Sequence, residues 1–430
     1  MRVQDASLKQ RKKNTSNGKI LKENSQDLKA NQSKYGTSKF GTYVLYFLYI
    51  TTFLAVTFFV AWLVLCSTLC KELSFNSFCS FEFLNSLDAR HEGSLNDSEK
   101  SWSLKAKTRV PNDEASLWVI ERRSNLSLDE FIEKYDGKRP VLITDVLKEW
   151  KASEWNKDFF VKHYGNKQVV MKAVHGTLNQ AESLALPLKL FAKHSDEGKA
   201  DAWTYLQDEL LIQLHPELRE HLGNTIYLKE DFFKIFAKEV RPWNAMLLWG
   251  TAYSRSFLHI DPFNWTGTNA VFYGKKHWKL YPPGQDEYLY VIPDRKSEFP
   301  LNCYKYNSPI DAYNPDLKKY PKFSEARAIS FEQNPGELLI IPPGWFHQAF
   351  NAVETIAVSS QVMNSQNYHI ILEEIFKAGN IDREILPSGF YQLPPIEQVI
   401  FVSNALPSSI LQRGRDVTND ILQQMGYKTK

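Results

Sequence analysis

In the segment FLHIDPFNWTGTNAVFYGKKHWKLYPP, His259 and Asp261 stand two residues apart. Strand side chains alternate faces, so this spacing brings an imidazole and a carboxylate to one side of a strand. Such a pair suits a metal ion, a general base held by an acid, or a solvated edge with no chemistry at all. A third residue narrows the choice. His347, in PGELLIIPPGWFHQAFN, follows a Pro-Pro-Gly turn on another strand-like run. Two imidazoles and one carboxylate sharing an interior, with coordination positions left open, make the facial arrangement that suits iron(II) and oxygen chemistry. Zinc is the rival reading. The helical His-Glu-x-x-His and separate base that usually accompany zinc hydrolysis are missing from this sequence.

A fourth residue adds a requirement. In KKHWKLYPP the alternation puts Lys276, Trp278 and Leu280 on one face and Lys275, His277 and Lys279 on the other. The apolar pair marks the inner face, so Lys276 points inward. A buried lysine needs an anion, and the distal carboxylate of a 2-oxo acid would supply it. Trp278 and Trp345 read as barrel packing. His163, His175, His194, His215, His221, His277 and His369 read as structural or surface residues.

The elements that must hold these groups are β-rich. NAMLLWG, SFLHID, TNAVFYG, KHWKLYPP, GELLIIPP, WFHQAFN and TIAVSSQVM are seven short apolar runs cut by Gly and Pro turns, the pattern of an antiparallel barrel or sandwich. A polar, Pro-dotted insert separates two groups of them over residues 284–334. Upstream, SLDEFIEKYDG predicts a helix with Ser127 and Glu130 as a capping box and Gly137 as its stop. RPVLITDV and KQVVMKAV predict strands, NKDFFVKHYG a helix capped by Asn156, and residues 180–240 a mostly helical stretch. Helical periodicity returns in YHIILEEIFKAG.

Taken together, HID, NAVFYGKKHW and PGELLIIPPGWFH resemble a Jumonji-C domain of the cupin-fold 2-oxoglutarate oxygenases, nearest the subgroup of bifunctional arginine demethylases and lysyl hydroxylases. The resemblance runs over residues 117–364. It implies a β-rich α+β fold, a double-stranded β-helix (cupin or jelly-roll) core with flanking helices. It implies that His259, Asp261 and His347 bind Fe(II), that Lys276, Asn269, Ser256 and Ser359 contact 2-oxoglutarate, and that O₂ is the second co-substrate. Ser256 and Ser359 stand where that subgroup commonly has Thr, and both keep the hydroxyl.

Charge is divided unevenly. Residues 1–40 hold ten Lys and Arg against three acids, a net +7, which leaves 3 − 7 = −4 for the remainder. That remainder lacks the basic footprint of a nucleic-acid binder, and the tail reads as disordered. Residues 41–70 contain no Asp, Glu, Lys, Arg or His. As a helix, residues 43–66 would extend ~36 Å against a hydrocarbon core of ~30 Å. The sequence thus predicts a cytoplasmic tail (1–40), a transmembrane signal-anchor helix (41–68), a stem (69–114), a catalytic domain (115–364) and a C-terminal helical segment (365–430). The basic flank orients it as a single-pass type II protein with its bulk in the lumen of the endoplasmic reticulum or Golgi.

Sequons at Asn96, Asn125 and Asn264 are compatible with that compartment. A glycan at Asn264, three residues past Asp261, would crowd the site. Either that sequon is unused, or the domain is cytosolic, or substrate approaches elsewhere. A Cys79–Cys303 bridge stays open, as does a homodimer through the C-terminal helices. The function expected is a membrane-anchored oxygenase hydroxylating a protein side chain, the alternatives being an inactive scaffold of the same fold or a protein demethylase.

Overall fold

The computed structural model describes residues 118–425, save 177, 179–180, 295–304 and 380. The tail, the anchor, the whole stem and both Cys79 and Cys303 lie outside the described residues. Among the described residues, no helix is long and apolar enough to cross a membrane.

Two sheets carry the architecture. The larger has nine strands, in the order Glu121–Arg123, Val141–Ile143, Leu338–Ile341, Thr266–Tyr273, Thr355–Val362, Met246–Gly250, Ala202–Asp208, Gln168–His175 and Glu182–Pro187. The smaller has six: Ile292–Asp294, Lys305–Asn307, His259–Ile260, Phe346–Asn351, Lys276–Tyr281 and Ile329–Gln333. In chain order, the eight core strands from Met246 onward fall large, small, large, small, small, large, small, large. That is the double-stranded β-helix order. The seven strands read from sequence all form; the eighth, Ile329–Gln333, was hidden in the polar insert. Its alternation is weak, and pairing with Lys276–Tyr281 holds it extended.

Residues 180–240 meet the helical expectation only in part: Leu188–Lys193, Leu210–Leu214 and Pro216–His221 are helices, but two strands form as well. Glu182–Pro187 and Ala202–Asp208 are strands that extend the larger sheet on either side of Gln168–His175. AWTYLQD carries an aromatic and β-branched run that fits a pleated surface, and ladder pairing with its neighbours decides its state. The upstream helices agree with expectation. Ser127 Oγ accepts from Glu130 N at 3.2 Å at the start of Leu128–Lys134. Asn156 Oδ1 accepts from Phe159 N at 2.9 Å before Lys157–Tyr164. Only half the capping box forms, because Glu130 turns to Arg123 and Lys134 instead.

Alternation in Thr266–Tyr273 sets the layers. Ala270 and Phe272 join the outer core with Trp155, Phe160 and Trp249, beneath the N-terminal helices. Val271 faces the other way with Tyr205, Leu248 and Ala357. Between the sheets lie Trp278, Leu280, Leu339 and Trp345. The C-terminal helices Tyr368–Ala378 and Pro395–Ala405 contribute to a core with Phe232, Phe236 and Phe263. They are docked on the barrel.

Candidate metal centre and co-substrate chamber

His259 and His347 are register partners on adjacent strands of the smaller sheet, and their ring centroids are 4.4 Å apart. Each ring is oriented by its own strand. His259 Nδ1 lies 2.8 Å from the Phe257 carbonyl and His347 Nδ1 3.0 Å from the Trp345 carbonyl. A carbonyl only accepts, so both Nδ1 atoms carry the proton and both Nε2 atoms present lone pairs. Asp261 Oδ1 lies 3.7 Å from His259 Nε2 and 3.6 Å from His347 Nε2.

The carboxylate is held from behind. A Cβ placed on Gly267 would fall 1.9 Å from Asp261 Oδ2, so only glycine leaves room for it. Sequence reading missed Gly267, because a glycine inside a strand pattern signals a close approach without saying of what.

Protonation states suit a cation. Burial pushes Asp261 up, but the His347 charge, the His259 contact and Trp265 outweigh it and hold the carboxyl below its usual range. Burial, then the neighbouring His259, pulls His347 down to about 4, which keeps it neutral at pH 7. Two imidazoles with their Nδ1 atoms tied to carbonyls and one carboxylate, with ligand atoms all within 4.8 Å of one another, fit an iron(II) ion.

The cluster opens into a cavity of about 520 Å³, whose walls include Trp203, Tyr205, Ser256, Phe257, Trp265 and Ser359. Of the expected co-substrate residues, Ser256 and Ser359 are therefore on the cavity wall. Ser256 Oγ accepts from Ala349 N at 3.1 Å, leaving its hydroxyl hydrogen free to donate.

Lys276 and Asn269 are enclosed in the barrel interior. Lys276 is wholly buried, on the face of its strand shared with Trp278 and Leu280, as alternation requires. Its Nζ donates to the Tyr205 hydroxyl at 2.9 Å, and among the described residues no carboxylate pairs with it. Burial pulls its pKa down to about 7. Asn269 is buried with its Oδ1 unpartnered. A buried cation without a counter-charge and an amide with an open end fit an anionic ligand. Tyr205, on the cavity wall and bonded to Lys276, was missed by sequence reading, since it sits in the stretch read as helical.

Asn264 is also settled in place. It is 7% exposed and its Oδ1 accepts from Gly344 N at 2.5 Å. Asn125, by contrast, is exposed. The C-terminal helix Ser408–Gln424 adds Val417, Thr418 and Ile421 to the cavity wall. A Cβ on Gly414 would meet Glu239 O at 2.0 Å, so that helix rests directly on the turn that precedes the strand Met246–Gly250.

Two sheets in jelly-roll order, with two histidines and an aspartate on the inner face, define a cupin-type barrel with a candidate iron centre. Residues 127–369 match the family described as Cupin-like domain, and the chain belongs to it. It is 28% identical over 282 residues to an arginine-specific demethylase of Arabidopsis thaliana, covering 63% of this chain and 53% of that protein. It is 26% identical over 297 residues to a bifunctional arginine demethylase and lysyl-hydroxylase of Caenorhabditis elegans, covering 66% and 71%. A 2-oxoglutarate and iron-dependent oxygenase of Gallus gallus is 28% identical over 178 residues, covering 39% and 37%. The chain thus spans about half of the first relative's length.

Proposed function

We propose that the protein is an iron(II)- and 2-oxoglutarate-dependent oxygenase that hydroxylates a protein side chain. The observation that carries this is the wholly buried Lys276, without a carboxylate partner among the described residues, on the inner face of the sheet that presents His259 and His347. His347 pairs in register with Leu280 and Asn351 with Lys276, so four residues, about 13 Å of strand, separate the two positions.

His259 Nε2, His347 Nε2 and the Asp261 carboxylate would hold the metal, which supplies oxygen activation coupled to oxidation of the 2-oxo acid. Lys276 and Tyr205 would take the distal carboxylate, with Asn269, Ser256 and Ser359 fixing the rest of the co-substrate. Trp203, Phe257 and Trp265 line a chamber that keeps water from the reacting C–H bond.

The reading includes a membrane anchor at residues 41–68 and a lumenal domain, supported by the uncharged run and its basic flank. A homodimer gains no support from the described helices, whose apolar residues pack on Phe232, Phe236 and Phe263. Demethylation is a second reading, favoured by the names of two relatives. It shares the same first step, hydroxylation of a C–H bond, and differs in releasing formaldehyde.

The test is anaerobic addition of Fe(II) and 2-oxoglutarate to the purified chain, followed by visible absorption of the chelated 2-oxo acid. A band lost in Asp261→Ala and weakened in Lys276→Ala supports the reading. No band from folded protein sinks it and leaves a scaffold.

A further inference from the structure

The two central strands of the larger sheet have a second side. Ser359 lines the catalytic chamber, whereas its neighbours Val358 and Ser360 line a separate cavity of about 410 Å³ on the outer face. Thr268 and Ala270, which flank Asn269, line the same outer cavity. The two cavities therefore stand back to back across one layer of backbone, and Gln361 borders both.

The outer cavity has a distinct chemistry. Its floor is largely aliphatic: Ala270, Leu338, Val358 and Val362, with Leu338 on the next strand. One wall is the Trp150 indole, which lies so close to Gly223 that a Cβ there would fall 2.3 Å from Trp150 Cδ1. At the rim are Arg219, Lys229 and Lys234 with one acid, Asp231.

That acid is already committed. Asp231 Oδ1 accepts from Phe233 N at 3.2 Å, and Oδ2 lies 3.7 Å from Lys234 Nζ. Arg219 is half-buried, and among the described residues it makes one hydrogen bond, a long one from Nη1 to the Leu222 carbonyl at 3.3 Å. The rest of its guanidinium fork has no partner among the described residues, and Lys229 has no ion-pair partner among them either. Burial pulls the Arg219 pKa down, with Asp231 opposing. A planar fork of this kind matches a carboxylate bidentately, and an aliphatic floor beside an indole suits a ring.

We propose that this outer cavity is a second ligand site, for a small aromatic monocarboxylate whose ring lies between Trp150 and the sheet and whose carboxylate is held by Arg219. The proposal stands apart from the catalytic reading, since none of its residues is assigned to the metal or to 2-oxoglutarate.

The probe is 4-fluorophenylacetate, followed by ¹⁹F NMR against the full chain under saturating 2-oxoglutarate, with a protein-free blank in the same buffer. Its neutral amide and inorganic phosphate are the comparison ligands. The expected result is saturable binding of the carboxylate, at least about tenfold tighter than the amide, the difference that one charge-assisted hydrogen bond gives. Arg219→Met should bring the carboxylate down to the affinity of the amide. Asn244→Trp, which fills the rim without touching a charge, should abolish both. The thermal melt of each variant, and an iron–2-oxoglutarate absorption in Arg219→Met equal to that of wild type, show that the fold is retained. The proposal is overturned by carboxylate binding that Arg219→Met leaves unchanged in folded protein, by displacement of the probe with rising 2-oxoglutarate, by phosphate binding as tightly, or by no binding at all.

Discussion

The Asp261 carboxylate rests against the α-carbon of Gly267, with no space for a methyl group between them. Gly267 belongs to the larger sheet and His347 to the smaller, so the centre joins the two sheets. What Gly267 meets is the far end of a rotatable side chain, which moves more readily than backbone. Gly267→Ala should therefore fold, with a melting temperature within a few degrees of wild type, while the carboxylate swings out of line with the two imidazoles. Iron(II) affinity, by anaerobic titration, should fall by at least about tenfold, the loss expected for a ligand displaced from a designed geometry. Unchanged affinity in folded Gly267→Ala would show that Asp261 does not hold the metal from this position.

Lys276 gives a pH dependence with a defined sign. An anion needs the ammonium form, and in the free protein burial brings its pKa to about 7. The affinity for 2-oxoglutarate should therefore weaken as pH rises above 7, approaching about tenfold per unit for one linked proton. Calorimetry from pH 6.5 to 8.5 checks this, and a flat profile counts against the assignment.

The same residue predicts an opposite trend in stability without ligand. Unfolded lysine titrates near ~10.4, so between about pH 7 and 10.4 the unfolded chain binds the extra proton and stability rises with pH. This contribution is complete above the unfolded value and lost as pH falls toward 7. Lys276→Met removes both the buried charge and the slope. Denaturant midpoints of wild type and variant at pH 7 and 9 should differ more at pH 7, with the variant the more stable.

Tyr205 is separable from folding. Tyr205→Phe keeps the ring on its apolar neighbours Trp203, Leu248 and Val271 and deletes the hydroxyl that accepts from Lys276. A hydrogen bond to a charged group contributes about 1.5–3 kcal/mol, so the apparent KM for 2-oxoglutarate should rise by about tenfold or more. The iron(II) affinity without co-substrate should not change. A loss of both together would mean that Tyr205 supports the barrel and not the co-substrate.

Glycan mapping tests the buried sequon. In material made through a secretory pathway, deglycosylation with isotope marking should tag Asn125 and leave Asn264 unmodified. Asn264 is 7% exposed and its Oδ1 accepts from Gly344 N at 2.5 Å, so a sugar on this side chain would have to break a buried contact. An occupied Asn264 in folded protein would contradict this local structure.

The His259–Asp261–His347 cluster was legible because its signals are local. The i, i+2 spacing of His259 and Asp261 survives in the strand and the residue that follows it, and Lys276 is identified by Trp278 and Leu280 on its own strand. Tyr205 and Gly267 were not legible, since what matters about each is a partner on another element. Tyr205 meets Lys276 from 71 positions away. Gly267 is read only once the path of Asp261 is known. The strand Ala202–Asp208 was lost for the same reason, its conformation being decided by ladders to Gln168–His175 and Met246–Gly250. Ser256 and Ser359 came from resemblance, and their position on the cavity wall agrees with it without assigning them a ligand.

The wall that Val417, Thr418 and Ile421 lend to the chamber has a consequence for biosynthesis. His347 leaves the peptidyl transferase centre 417 − 347 = 70 residues before Val417, an interval of about 4–14 s at about 5–20 residues per second. Every ligand of the triad is thus translated before the last part of its enclosure exists. Once His347 has cleared the ribosome, a barrel folded ahead of that helix would present its imidazoles and carboxylate to the surrounding solution on a side that the finished protein covers. Docking of the last helix would then turn an open shelf into a chamber, so the order of translation would set an order in which an ion bound by the triad is enclosed.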